Sequence, residues 1–214
     1  MRIIALIFLF ITVNAFKLEA KKVMVDGQIL FKNDTINVVF IIPVYSISKD
    51  INFIKIQKKV KYLDSNKVKN ELWPNDAIEF RFKYHFENVR MLSRKNNLSI
   101  TNSFAGRTNI FLHLEIDGEL KLYNYYYSSS SPGVYNSTTG MTSGGSYSSS
   151  SYVLQKGNEA LKRTRGSFKK NMAEYFNDYP ELSQKIKEKY YRKKDLKTIV
   201  NLYNRAIGSN KIEK

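Results

Sequence analysis

The chain has 214 residues, 35 Lys or Arg against 19 Asp or Glu, a formal charge of +16 and no cysteine. Without thiols it can form no disulfide, thiolate zinc site, cysteine nucleophile or lipid-modified cysteine anchor, so its stability rests on burial and hydrogen bonding. Sixteen of the basic residues but only seven of the acidic ones fall between Lys156 and Lys214, and a field of that sign favours acidic partners.

The N-terminus opens with Arg2, an apolar run from Ile3 to Val13, and Val13-Asn14-Ala15 before Phe16. A basic start, a short apolar core and small residues before a cleavage point predict a signal peptide over 1–15, hence an exported protein, periplasmic or extracellular. A membrane span needs about twenty apolar residues. This run has half that, and no later stretch qualifies.

From Lys22 to Tyr127 apolar residues recur with period two, the pattern of half-buried strands. Val23, Val25, Ile29 and Phe31 precede the turn Asn33-Asp34 and the run Ile36 to Pro43; Phe53 to Leu63 and Val68 to Trp73 flank Asp64-Ser65-Asn66. Two hairpins are predicted. Glu79 to Glu87 places Phe80, Phe82, Tyr84 and Phe86 on one face, and four rings burying about 150–250 Å² each require a core. Further strands are expected near Val89 to Ser93 and Leu98 to Asn102. Asp117-Gly118, between Asn109–Ile116 and Glu119–Tyr123, suits a type I′ hairpin turn.

Ser128 to Ser151 is built of Ser, Thr, Gly, Tyr and Asn with almost no aliphatic residue. Such a stretch buries too little apolar area to offset its ordering entropy, so a disordered loop is expected, its Tyr and Ser side chains available for adaptable contacts. After Gly157 the period becomes helical. Phe168, Met172 and Tyr175 follow an N-cap at Ser167; Pro180 starts a helix carrying Leu182, Ile186 and Tyr190; a third runs from Asp195 through Leu196, Ile199, Val200 and Tyr203 to Gly208. The predicted organisation is a β-rich domain over 16–157, a basic helical tail over 158–208 and a disordered terminus over 209–214.

Candidate chemistry is sparse. His85 and His113 are the only histidines, and strand alternation places both facing outward. Glu115, Asp117 and Glu119 surround one turn without the spacing of a calcium loop, and Gly140 with Gly145-Ser146 lacks the lysine of a phosphate-binding loop. No catalytic, metal or cofactor residue is assigned. The basic run Lys185, Lys187, Lys189, Arg192, Lys193, Lys194 and Lys197, interleaved with Tyr190 and Tyr191, is the strongest candidate surface. Lysine and arginine meet phosphates, and exposed rings stack on bases or sit at head groups. Lys185, Lys189, Arg192, Lys193, Lys194 and Lys197 are the expected anionic-partner contacts.

Ser167–Asn204, in which F-K-K-x-M-x-E-Y-F-x-D-x-P-x-L precedes K-D-L-x-x-I-V-x-x-Y-N, resembles a tail of uncharacterised exported proteins of Bacteroidota-type bacteria. Asn33–Pro43, Glu71–Phe82 and Phe111–Tyr126 are similar to phrases in their strand-rich region. Tyr179 departs from the pattern, which has cysteine there. The resemblance implies strands followed by a basic helical tail, and no activity or site residue.

The expected fold is α+β, an antiparallel β-sheet or partly closed β-barrel followed by a C-terminal three-helix segment. The expected function is a non-enzymatic envelope binding or accessory module, its contact surface the basic helices or the Ser/Tyr loop. The partner would be an anionic envelope polymer, a lipid surface or another envelope protein. A carboxylate-dependent enzyme on an envelope polymer is the remaining alternative, which needs two carboxyls roughly 5–9.5 Å apart across a cleft.

Overall fold

The computed structural model describes residues 21–98, 106–130, 133–143, 145–164 and 166–212. The signal-peptide segment 1–15 and most of the strand expected at Leu98 to Asn102 lie outside them. Ten strands form one open antiparallel sheet. They are β1 (Lys22–Leu30), β2 (Thr35–Pro43), β3 (Val60–Leu63), β4 (Lys69–Leu72), β5 (Glu79–Tyr84), β6 (Glu87–Lys95), β7 (Asn109–Ile116), β8 (Leu120–Ser130), β11 (Ser146–Lys156) and β12 (Lys162–Arg163). Across the sheet the order is β12-β11-β8-β7-β6-β5-β1-β2-β3-β4, and a separate ribbon pairs β9 (Val134–Asn136) with β10 (Met141–Ser143). The helices are α1 (Phe53–Ile56), α2 (Phe168–Tyr175), α3 (Pro180–Lys187) and α4 (Leu196–Ile212), the last entered through a 3-10 turn at Lys193–Asp195. The α+β class holds, with an open sheet and one helix ahead of the C-terminal three.

Register explains the core. Ile29 pairs with Phe80 and Phe80 with Met91, so these side chains share one face. There Phe40, Phe80, Phe82 and Phe111 pack as tilted and edge-to-face rings, with Phe40–Phe80 centroids 5.3 Å apart and Phe80–Phe111 4.8 Å apart. Gly27 makes room for them, because a Cβ there would lie 2.7 Å from the Phe40 ring. Farther along the same face Leu120, Leu122 and Leu154 are covered by Met172, Phe176, Ile186, Ile199 and Tyr203 from α2–α4. The other face buries Leu112, Leu114, Tyr123, Tyr125 and Val153.

Asn204 and Lys156 are among the residues that fasten the helices to the sheet. Asn204 of α4 accepts from the Leu120 backbone N–H at 2.8 Å and donates to its carbonyl at 2.9 Å. Lys156, at the end of β11, donates to Asp178 at 2.7 Å and to the Tyr175 carbonyl at 2.6 Å, with its ammonium 4.5 Å from the Tyr175 ring and 5.0 Å from the Tyr203 ring. Elsewhere Arg90 grips Glu79, only 4% exposed, through two 2.8 Å bonds and adds Asp117 at 2.9 Å.

Several expectations are corrected. Ser128 to Ser151 is mostly strand, not a disordered loop: Ser146–Ser151 pair with Tyr125–Ser130 as an extension of the strong Leu120–Tyr127 pairing. Backbone hydrogen bonds propagate there without help from side chains. The segment expected as the strand Phe53 to Leu63 begins as α1, because the Asn52 side chain accepts from the Lys55 N–H and caps a helical turn. The turn at Asp117 is a three-residue loop with a bulge between Leu114 and Ile116, so it is not type I′. Helix α4 continues to Ile212, through most of the terminus expected to be disordered.

Candidate binding cleft

Strands β7 and β8 pair only near their shared turn, as far as His113 opposite Asn124. Beyond that point the start of β7 stays with β6, while the far half of β8 stays with β11. Gln57, fully buried at the end of α1, fills the resulting split. Its side chain donates to the Tyr126 carbonyl at 3.0 Å and accepts from the Tyr126 N–H at 2.8 Å, while its own carbonyl accepts from the Phe111 N–H at 3.1 Å. Those are the backbone groups that strand pairing would otherwise have satisfied. Helix α1 is therefore a wedge between two strands.

The wedge builds one wall of a cleft. Phe53 stacks on Tyr126, ring centroids 4.4 Å apart, and on His113 at 4.7 Å. A second wall is the turn between β5 and β6, where His85 takes a left-handed φ of 52° and Phe86 stands 96% exposed. Tyr84 ties that turn to the preceding loop by donating to the Lys49 carbonyl at 2.7 Å. The third wall is the Ser-rich end of β11, where Ser148 Oγ lies 3.0 Å from the Tyr45 hydroxyl. The enclosed volume is about 570 Å³, within the range of small-molecule sites.

The lining is aromatic and hydroxylic. Tyr45, Phe53, Tyr84, Phe86 and Tyr126 supply rings, Ser148–Ser150 supply hydroxyls, and Asp50 and Glu87 supply carboxylates. None of its lining residues is Lys or Arg, although those make up 35 of the 214 residues of the chain. Aromatic faces with hydroxyl and carboxylate acceptors suit a ligand that is not anionic, has apolar patches and donates hydrogen bonds.

Behind Phe53 a polar strip keeps the wall rigid. His113 Nδ1 lies 3.3 Å from the Tyr126 hydroxyl, to which Asn124 also donates at 3.2 Å, and Glu115 accepts from Lys197 at 2.6 Å. Burial lowers the His113 pKa below its ordinary value against the opposing pull of Glu115, so the ring is neutral at neutral pH; burial and then Glu115 push the Tyr126 hydroxyl up. His113 is thus an inward, stacked residue and not the outward one that alternation predicts. His85 is a turn residue beyond the end of β5.

The expected anionic-partner residues lie on the surface of the helical tail, some of them paired. Lys185 is paired with Glu181 at 2.6 Å, and Lys197 with Glu115. Lys189 takes a left-handed φ of 63° after α3, and Arg192, Lys193 and Lys194 are exposed around the turn into α4. None of the six lines the cleft. Tyr190, expected in the core by its spacing from Ile186, is 71% exposed, because α3 ends at Lys187 and the left-handed Lys189 turns it outward; Tyr191 packs on the helical core. The carboxylates of the Asp117 turn diverge, Glu115 to Lys197 and Asp117 to Arg90 and Lys121. Among the described residues no three His, Asp or Glu are grouped to hold a metal ion.

The cleft is not visible in the sequence, because its parts come from four separated segments. Asn52 ahead of Phe53 was the available local signal for α1. Gln57 carries no signal, since its role exists only once β7 and β8 have parted. Comparison of the chain with protein-family models, curated proteins and solved structures finds no match to any of them.

Proposed function

We propose that the protein is an exported, non-enzymatic envelope binding module that holds a segment of a neutral, hydroxyl-rich polymer, a glycan, in the cleft between α1, the β5–β6 turn and the Ser-rich end of β11. The observation that carries this reading is the lining: ring faces, serine hydroxyls and carboxylates with no Lys or Arg, in a strongly basic chain. Rings pack against the apolar faces of sugar rings, and hydroxyls and carboxylates accept from sugar hydroxyls. The signal-like N-terminus and the resemblance to exported bacterial proteins support an envelope location. Among the described residues no helix is long and apolar enough to cross a membrane.

The test is calorimetric titration of the protein with neutral oligosaccharides, N-acetylglucosamine oligomers and β-glucan hexasaccharides among them. Saturable binding that Phe86→Ala and Tyr45→Ala each weaken by several-fold to about tenfold is expected, since about 1.4 kcal/mol is a factor of ten. Absence of saturable binding across the panel contradicts the reading. Asp50 and Glu87 lie in the same cleft, which favours one second reading, carboxylate-dependent glycan hydrolysis. Release of new reducing ends that Asp50→Asn or Glu87→Gln abolishes would establish it; binding without release supports the first reading.

A further inference from the structure

Helix α1 contributes Phe53 and Ile54 to the cleft, but Lys55 to a second concavity of about 340 Å³. Its floor is apolar, made by Ile41, Pro43 and Val60, and its walls carry Lys22, Lys55, Lys58, Lys59, Lys61 and Arg107. Strand register puts the charges there. Lys22 is opposite Pro43 and Lys61 opposite Ile41, so both lysines rise from the same face of the sheet on either side of β2. Lys55 of α1 and Lys58 and Lys59, which follow it, complete the lining.

Glu71 pairs with two of these lysines, 2.7 Å from Lys59 and 3.3 Å from Lys61. Lys22 and Lys55 make no ion pair among the described residues. Six cations around a small concave space repel one another and concentrate a strong positive potential, which a multiply charged anion relieves. The volume decides which kind. A carboxylate or a sulfate ester brings one charge, whereas a phosphate monoester brings about −1.5 to −2 charges and three acceptor oxygens. Two or three adjacent phosphates match this charge within this space, and lysine is a common point-charge partner for them.

We infer that this groove binds a cluster of adjacent phosphate groups, carried by a soluble polyphosphorylated molecule or by a lipid headgroup. It is a site separate from the glycan cleft and from the basic tail. The chain carries its own reporter. Trp73 is the only tryptophan, is 37% exposed, and sits with Lys59 Nζ 4.6 Å and Arg107 Cζ 5.4 Å from its ring centroids. An anion that draws either cation away from the indole changes its fluorescence.

The experiment is a Trp73 fluorescence titration with tripolyphosphate, inorganic phosphate, citrate, and vesicles of phosphatidylcholine with or without phosphatidylinositol 4,5-bisphosphate, whose headgroup carries adjacent phosphate monoesters. Saturable change with tripolyphosphate, at least tenfold tighter than with inorganic phosphate or citrate, assigns the phosphates to a soluble molecule. Change with the bisphosphate vesicles and none with tripolyphosphate assigns them to a headgroup. Lys22→Glu with Lys55→Glu, both exposed side chains, should weaken binding at least tenfold, and Lys22→Gln with Lys55→Gln by a smaller factor, with unchanged circular dichroism. Lys193→Glu with Lys194→Glu should leave it unchanged. No saturable response to tripolyphosphate or to the bisphosphate vesicles, citrate binding as tightly as tripolyphosphate, or equal weakening by the tail variant overturns the inference.

Discussion

The helical tail and the α1 region are both dense in lysine, and they use it in opposite ways. In the tail, Lys185 and Lys197 are held by Glu181 and Glu115, and Arg192, Lys193 and Lys194 are exposed around the turn into α4. Around α1, Lys22, Lys55, Lys58, Lys59 and Lys61 converge on one concavity, while the other side of the same helix faces a cleft without cations. The difference is one of arrangement, since the α1 lysines line a shared concavity. Both concavities share α1, and a ligand site needs that inward shape more than it needs a count of charges.

Gln57→Leu has the largest expected effect and strikes the α1 side alone. It strands the Tyr126 N–H and carbonyl, and each unsatisfied buried group costs about 1–3 kcal/mol. A loss of about 3 kcal/mol in chemical denaturation is expected, with faster hydrogen exchange over residues 53–58 and unchanged protection in α4. Uniform loss of protection across α2–α4 would show that the two regions are not separable.

Lys156→Met is the matching cut on the tail side. It removes the cation between Asp178, Tyr175 and Tyr203, and a loss of about 2 kcal/mol is expected, below the range for a fully buried pair because Asp178 is 43% exposed. Burial raises the Asp178 carboxyl, but the bonds from Lys156 and Tyr203 outweigh it and hold it below its ordinary value. The stability it contributes is therefore present above the unfolded value near 3.8 and lost as pH falls through the folded one. In the variant that acid-side loss should shrink, read from denaturation midpoints between pH 2 and 5.

Phe86→Ala should change binding without changing stability. Its ring is almost wholly exposed, so the stability shift stays within about 0.5 kcal/mol, while glycan affinity falls by several-fold to about tenfold.

His113 gives a smaller, pH-dependent effect. Its folded pKa lies below the ordinary 6.5, so the unfolded chain binds the proton first, and stability falls as pH drops from 6.5 toward the folded value. The slope is at most about 1.4 kcal/mol per pH unit. His113→Gln should flatten that slope between pH 5 and 7. The smallest effect is expected from Lys193→Glu with Lys194→Glu, within about 0.5 kcal/mol in stability and with no change in glycan binding.

Much of the scaffold was legible because its determinants are local. The Asn33-Asp34 and Asp64-Ser65-Asn66 turns, the Asp117-Gly118 hairpin and the helix starts at Ser167 and Pro180 each follow from a few adjacent residues. What escaped depends on distant partners. Phe53, Ile54 and Ile56 read as strand because β-branched and aromatic residues favour it, and they become helix because Asn52 caps them and Gln57 docks against β7 and β8. Phe86 continues a perfect alternation, yet the left-handed His85 ends β5 one residue earlier and turns the ring to solvent. The serine tract lacks apolar residues and still pairs, since the register of Leu120–Tyr127 carries it along. The candidate site shares this non-local character, whereas the basic tail is visible at once in the sequence as a run of Lys and Arg.

The most direct measurement is amide chemical-shift mapping of the labelled protein titrated with the neutral oligosaccharide panel. Saturable shifts confined to residues 45–57, 84–87, 126 and 148–150 are the predicted result. Shifts centred on residues 185–197, or none at saturating oligosaccharide, would contradict a binding cleft built by the α1 wedge.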